Sequence, residues 1–313
     1  MLKVVIVGYG EMFMNLIAAA LDANCEIVGV LRRGKNVFKD IFNPSLEYNY
    51  IKSYKLPEIK AKGVNTPEFR KELLKLNPDI ILVGSWGEKF EKATYDIPKI
   101  ATINAHPSLL PKYRGPNPYF WNIKNQEDVS GVTFHLMADG YDTGAILAQE
   151  EVKIYPSDTG KSLKERTVLT ARGVACELLK DLSEDIIIPL TQREDKASYY
   201  SHPEGLELDF NKSAEENFAT IRASYPWCET WFYHKSVPVV PNPHKSFIEE
   251  NKSFYTEPCT VVEVCPKTKT IAVVCGDGKI LRMSGVKLYN KLDRPFTKNF
   301  IKREIELGGK IYP

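Results

Sequence analysis

The chain has few features that name a partner on their own. Its six cysteines, Cys25, Cys176, Cys228, Cys259, Cys265 and Cys275, form no Cys-x-x-Cys pair and no Cys/His spacing that suits zinc, so they read as reduced, structural thiols. No stretch approaches the roughly 18 uninterrupted apolar residues of a membrane helix, because Gly, Asn or charge breaks every apolar run. The net charge of +2 is too small to argue for a nucleic-acid partner by itself. There is no internal repeat and no low-complexity segment. Met1 to Gly8 hold one cation and a short apolar run, which fits a first buried strand better than a secretory signal; a cytoplasmic protein is expected. Gly8-Tyr9-Gly10 is only part of a dinucleotide fingerprint, since Phe13 stands where a third glycine would close helix onto strand, and NAD is not expected.

What is present reads as a globular protein. With 313 residues, 43% hydrophobic and 26% charged, the chain exceeds one ordinary core, and two domains are expected. Val4 to Val7 form a β-branched run, Met12 to Leu21 have helical spacing, and Ile27 to Leu31 form a second run. Thr66 and Pro67 open a helix that extends to Leu76, as N-cap and first helical residue. Asp79 to Val83, Ile100 to Asn104 and Val132 to Leu136 read as further strands, and Thr159 to Leu182 as a long amphipathic helix. This alternation predicts an α/β fold with a Rossmann-like, mostly parallel sheet and helices on both faces. After about residue 190 the pattern changes. Thr191 to Pro203 is polar and turn-rich, and from Cys259 onward short β-branched runs (Thr260 to Val264, Thr270 to Cys275, Ile280 to Met283) predict a small antiparallel sheet or barrel. The expected division is a catalytic domain over 1–190, a linker over 191–208 and a smaller domain over 209–313.

The most informative stretch runs from Ile103 to Glu151. It holds Asn104-Ala105-His106-Pro107-Ser108-Leu109-Leu110-Pro111, then Lys112-Tyr113-Arg114-Gly115-Pro116, then Gly131 to His135, and finally Asp139-Gly140-Tyr141-Asp142-Thr143-Gly144. Asn104 and His106 lie two apart at the carboxyl end of a strand, so their side chains share a side, and ligands of open parallel sheets bind outside such strand ends. Pro107 and Pro111 stiffen the loop between them, leaving the backbone groups of Ser108, Leu109 and Leu110 to meet a planar heterocycle. His135, inside an apolar strand, reads as structural; His202, His234 and His244 carry no motif.

This stretch closely resembles the 10-formyltetrahydrofolate-dependent formyltransferase family, whose pattern joins an Asn-x-His pair, a Ser-Leu-Leu-Pro loop and a later Asp-Thr-Gly. The resemblance implies that the smaller carboxyl-terminal domain is an OB-like barrel. It also implies a co-substrate, 10-formyltetrahydrofolate, and a reaction without metal. By that resemblance Asn104, His106 and Asp142 are the catalytic trio, and Ser108, Leu109, Leu110 and Pro111 help seat the folate. Glu88, Lys89 and Phe90, after Gly84-Ser85-Trp86-Gly87, fall where relatives contact the pteridine through backbone groups, and Asp139 joins the folate contacts. Asn104 and His106 would donate to the oxyanion formed when an amine attacks the formyl carbon, while Asp142 fixes the imidazole and helps move protons.

Two acceptor classes compete. The full-length resemblance and a basic carboxyl-terminal end favour the methionyl amine of initiator tRNA. In that end Lys269, Lys279, Arg282, Lys287, Lys291, Arg294, Lys298, Lys302 and Arg303 outnumber Asp277, Asp293, Glu304 and Glu306. Against it, Arg32-Arg33-Gly34-Lys35 leads into an uncharged-rich Ile41 to Tyr50, where the tRNA enzymes carry a long basic loop. Asn117-Pro118-Tyr119-Phe120-Trp121 is similar to the segment of relatives that formylate an amino sugar on a nucleotide carrier. A non-catalytic folate-binding protein and a 10-formyltetrahydrofolate hydrolase are further alternatives.

Overall fold

The computed structural model describes residues 1–33, 44–184, 186–289 and 296–312. Gly34, Lys35 and Ile41, and Lys291, Asp293 and Arg294 of the basic end, lie outside the described residues. The chain divides into two compact units. The first comprises Met1–Pro118, Val129–Lys153 and Lys164–Ser201; the second comprises Tyr119–Asp128, Ile154–Leu163 and His202–Pro313.

The first unit is built on β1 (Lys3–Gly8), α1 (Gly10–Asp22), β2 (Glu26–Arg32), α2 (Leu46–Ser53), α3 (Pro67–Leu76), β3 (Ile80–Gly84), α4 (Lys92–Tyr95), β4 (Ala101–His106), β5 (Val129–Leu136) and β6 (Ile146–Lys153). In sequence between β4 and β5 lies α5 (Pro118–Lys124), whose residues from Tyr119 onward belong to the second unit, and after β6 comes α6 (Gly160–Ser183), whose residues from Lys164 onward belong to the first. The sheet order is β2-β1-β3-β4-β5-β6; the first four strands are parallel and the last two antiparallel. Strand alternation sorts the side chains by face. Val4, Ile6, Ile80, Leu82, Ile103 and Ala105 pack with α1 and α6 in one core, while Val5, Val7, Ile81 and Val83 pack with Phe69 and Leu73 of α3 in another.

Local chemistry sets the elements. Thr66 caps α3 by accepting from the Phe69 N–H at 3.3 Å, Pro67 occupies the first turn, and Asn77 closes the helix in the left-handed region at φ 48°. Full burial of Phe69 and Leu73, four residues apart, contributes roughly 1.5–3 kcal/mol each. Gly8 is required where β1 turns into α1, because a Cβ there would stand 2.2 Å from the Gly84 carbonyl oxygen. The Gly10 N–H at the start of α1 donates to Glu47 Oε1 at 2.8 Å, so a carboxylate of the protein sits where a dinucleotide fold receives pyrophosphate. Strand β6 was not evident from the sequence: most of its residues are exposed or half-buried, which leaves little apolar alternation to read.

The second unit carries α7 (Ala214–Ser224), β7 (Phe232–His234), β8 (Val237–Val240), β9 (Ser246–Glu249), β10 (Val261–Cys265), β11 (Thr270–Val274), β12 (Ile280–Met283), β13 (Lys287–Leu288) and α8 (Thr297–Glu304). A four-stranded sheet, β10-β11-β12-β9, and a three-stranded sheet, β13-β8-β7, are both antiparallel. Phe232, Val239, Ile271, Val273, Leu281 and Met283 bring them onto one core. The capping box of α7, Ser213 with Glu216, satisfies the helix's first donors reciprocally. No helix among the described residues is long and apolar enough to cross a membrane.

Candidate active site

Alternation along β4 decides where the polar pair goes. Ile103 and Ala105 enter the core under α1 and α6, so Asn104 and His106 face the other way, at the strand's carboxyl end. The antiparallel register of β4 with β5 then puts His135 directly across from Asn104 and Thr133 across from His106. The loop between β5 and β6 returns Asp142 to the same place, with its backbone in the left-handed region at φ 54°.

Three groups converge on one carboxylate oxygen. Asp142 Oδ1 lies 3.4 Å from Asn104 Nδ2, 3.4 Å from His106 Nδ1 and 3.5 Å from His135 Nε2. These are long contacts for hydrogen bonds. The other oxygen, Oδ2, accepts the Gly115 N–H at 2.9 Å. Asn104 Nδ2 also donates to His135 Nε2 at 3.1 Å, and His135 Nδ1 faces the Leu136 carbonyl at 2.8 Å, which assigns the ring proton of His135 to Nδ1. His106 Nε2 lies 2.8 Å from the Tyr113 carbonyl; only an N–H fits there, so the lone pair of the neutral ring is on Nδ1, facing Asp142.

Burial is what sets the charge state. His106 is only 5% exposed, and desolvation pushes its pKa below the usual histidine value against the opposing pull of Asp142 and the Tyr113 carbonyl. Burial also opposes ionisation of Asp142, but over the range where the carboxyl titrates the positive charge of protonated His106 and His135, with the Gly115 N–H, outweighs it and holds the carboxyl well below the ordinary range. These directions favour a carboxylate on Asp142 and the neutral ring on His106.

The remaining sequence-predicted residues are positioned as follows. Ser108 is fully buried, and its hydroxyl donates to the Lys112 carbonyl at 2.8 Å. The Ser108 carbonyl accepts from Thr133 Oγ1, the Leu109 carbonyl from the Lys112 N–H, and the Leu110 carbonyl from Gln149 Nε2; the Leu110 N–H donates to Thr133 Oγ1. The Ser108 and Leu110 carbonyls and the Leu110 N–H are thus engaged by Thr133 and Gln149 on the neighbouring strands, and the Leu109 carbonyl by Lys112 in the loop itself. The Pro111 carbonyl accepts from the Ser198 N–H. Glu88 accepts from the Val64 N–H and Asn65 Nδ2, the Lys89 carbonyl accepts from Asn65 Nδ2, and Phe90 is in the core beside Phe69. Asp139 accepts from the Tyr95 hydroxyl at 2.7 Å, and the Lys89 ammonium lies over the Tyr141 ring. No group of three or more His, Cys, Asp or Glu among the described residues is arranged to hold a metal ion.

His135 is the residue that sequence reasoning missed. Its only signal was a polar side chain in an apolar run, and the pairing that brings it to Asn104 needs the strand register.

Residues 2–175 match the formyl transferase family. Over nearly its whole length the chain is similar to the methionyl-tRNA formyltransferase of Lachnospira eligens, 29% identical and covering 98% of each chain. The methionyl-tRNA formyltransferase of Clostridium novyi is 32% identical, over 88% of this chain and 89% of that one. Among solved structures, the N-formyltransferase of Helicobacter canadensis, crystallised with folinic acid and dTDP-3-aminofucose, superposes with a TM-score of 0.69 at 20% identity, covering 91% of this chain and all of that one; this likeness is one of fold. On the extent of the first match and the near-complete coverage of the relatives, the chain belongs to the formyl transferase family.

Proposed function

We propose that the protein transfers the formyl group of 10-formyltetrahydrofolate to the amine of methionyl initiator tRNA, with His106, Asp142 and Asn104 as its catalytic residues. The observation that carries the reading is the convergence of His106 Nδ1 and Asn104 Nδ2, both at the end of β4, on Asp142 Oδ1. As the amine attacks the formyl carbon, the proton it loses passes to the His106–Asp142 pair. Nδ1 has the lone pair to receive it, and Asp142 stabilises the imidazolium. The carbonyl oxygen becomes an anion. Asn104 Nδ2 carries two N–H groups, one held by His135 and the other at the long limit from Asp142, and this second one is the donor offered to the oxyanion. Collapse of the tetrahedral centre breaks the bond to the folate nitrogen, which takes the proton back from the pair. The full-length relatives, both methionyl-tRNA formyltransferases, support the acceptor.

The test is formylation of charged initiator tRNA with 10-formyltetrahydrofolate, beside a panel of nucleotide-linked amino sugars, at low salt. Product on the tRNA and none on the sugars is expected. Turnover of an amino sugar with the tRNA left unmodified replaces the acceptor and keeps the donor chemistry; transfer to neither overturns the reading.

A further inference from the structure

The segment after α6 is polar, yet its side chains and backbone are fastened to the two loops that hold the His106–Asp142 pair. Gln192 is 6% exposed. Its Nε2 donates to the carbonyl oxygens of Asp142, at 2.8 Å, and Gly144, at 2.7 Å, spanning the turn that carries the carboxylate. Its Oε1 accepts from Arg114 Nη2 at 2.8 Å and Nε at 3.2 Å. The Arg114 guanidinium, itself buried, also makes a two-pronged pair with Glu194, Nη1 to Oε2 at 2.9 Å and Nη2 to Oε1 at 2.7 Å.

The backbone repeats the pattern. The Arg114 N–H donates to the Ser198 carbonyl and the Tyr200 N–H to the Arg114 carbonyl, while the Tyr113 N–H donates to Ser198 Oγ at 2.9 Å. The Tyr113 and Tyr200 rings stack with centroids 5.0 Å apart. The loop so fastened presents the two groups that orient the reacting pair: the Tyr113 carbonyl on His106 Nε2 and the Gly115 N–H on Asp142 Oδ2.

We infer that Gln192 is a positioning residue for formyl transfer: it ties the Asp142 turn to the Arg114 loop, so that carboxylate and imidazole keep one geometry through the reaction. Asp142 sits in a left-handed turn, at φ 54°, and Gln192 holds the carbonyls of Asp142 and Gly144 in that turn. The inference rests on the catalytic roles proposed above.

Gln192→Glu separates positioning from mere packing. It keeps the oxygen that Arg114 binds and turns the Nε2 donor into an acceptor facing two carbonyl oxygens. A packing or Arg114-pairing role predicts near-normal turnover. The positioning role predicts that kcat for transfer to charged initiator tRNA falls about ten- to a hundredfold with little change in KM, as misplacement of a reacting group does. It also predicts that the same change in an Asp142→Asn background costs almost nothing more, since the two act through one group. Gln192→Met, without either contact, should lose turnover similarly and speed hydrogen exchange at Thr143, Gly144 and Gly115. Full activity of Gln192→Glu, an effect that multiplies with that of Asp142→Asn, or unchanged exchange in Gln192→Met overturns the inference. If Asp142→Asn alone leaves turnover intact, the catalytic reading fails instead.

Discussion

In the proposed mechanism His106 is the base, since burial favours its neutral form, and Asp142 stabilises the imidazolium once the proton arrives. The direction of the shift has a kinetic consequence. The acid limb of kcat/KM should lie below the ordinary histidine value of about 6.5. Since Asp142 opposes the shift, Asp142→Asn should move the His106 titration to still lower pH, measured by NMR of the ring; an upward move would mean that Asp142 does not stabilise the imidazolium. The same shift bears on stability. A folded-state pKa depressed below the unfolded value contributes stability that is present above about 6.5 and lost as pH falls through the folded value. Urea unfolding between pH 7 and 5 should therefore show a falling stability in wild type that is smaller in His106→Asn. At this scale the sequence was legible where a motif fixed both residue and spacing, as with Asn104, His106 and Asp142. It was silent on His135 and Gln192, which reach the site only through strand register and a loop packed far along the chain.

Among the elements, those with a local signal were readable. Helix α3 carries its cap, its first-turn proline and its two buried residues in consecutive sequence, and it forms over Pro67–Leu76 as those signals predict. Thr66→Ala should lower stability by about 1 kcal/mol, checked by urea denaturation, without altering turnover. The half-exposed β6 and the short β7 and β8 offered no such signal, because they are specified by their partners in the sheet. The polar run Thr191 to Pro203 shows the same limit: a free connection and a segment fastened by Gln192, Glu194 and Ser198 have similar compositions. The Arg114 loop depends on Gly115, at φ 96°, where a Cβ would stand 2.3 Å from the Tyr200 carbonyl. Gly115→Ala should cost turnover as well as stability, since its N–H holds Asp142; a stable variant with wild-type kcat would contradict that role.

For the whole molecule, acceptor class and donor chemistry are separable. Holding a tRNA through six or more phosphates would make apparent affinity fall by orders of magnitude between about 50 and 200 mM salt, whereas a nucleotide sugar would show a shallow dependence. Charge reversal at Lys298, Lys302 and Arg303, all on α8, should weaken a tRNA acceptor and leave folate affinity unchanged. The central claim is narrower: formyl transfer runs through the His106–Asp142 pair. It is tested most directly by single-turnover transfer from 10-formyltetrahydrofolate to charged initiator tRNA, comparing wild type with a His106→Ala variant whose fold is verified by circular dichroism and melting. The account predicts a rate lower by about a hundredfold or more at saturating donor and acceptor. A folded His106→Ala protein that transfers the formyl group at the wild-type rate would contradict it.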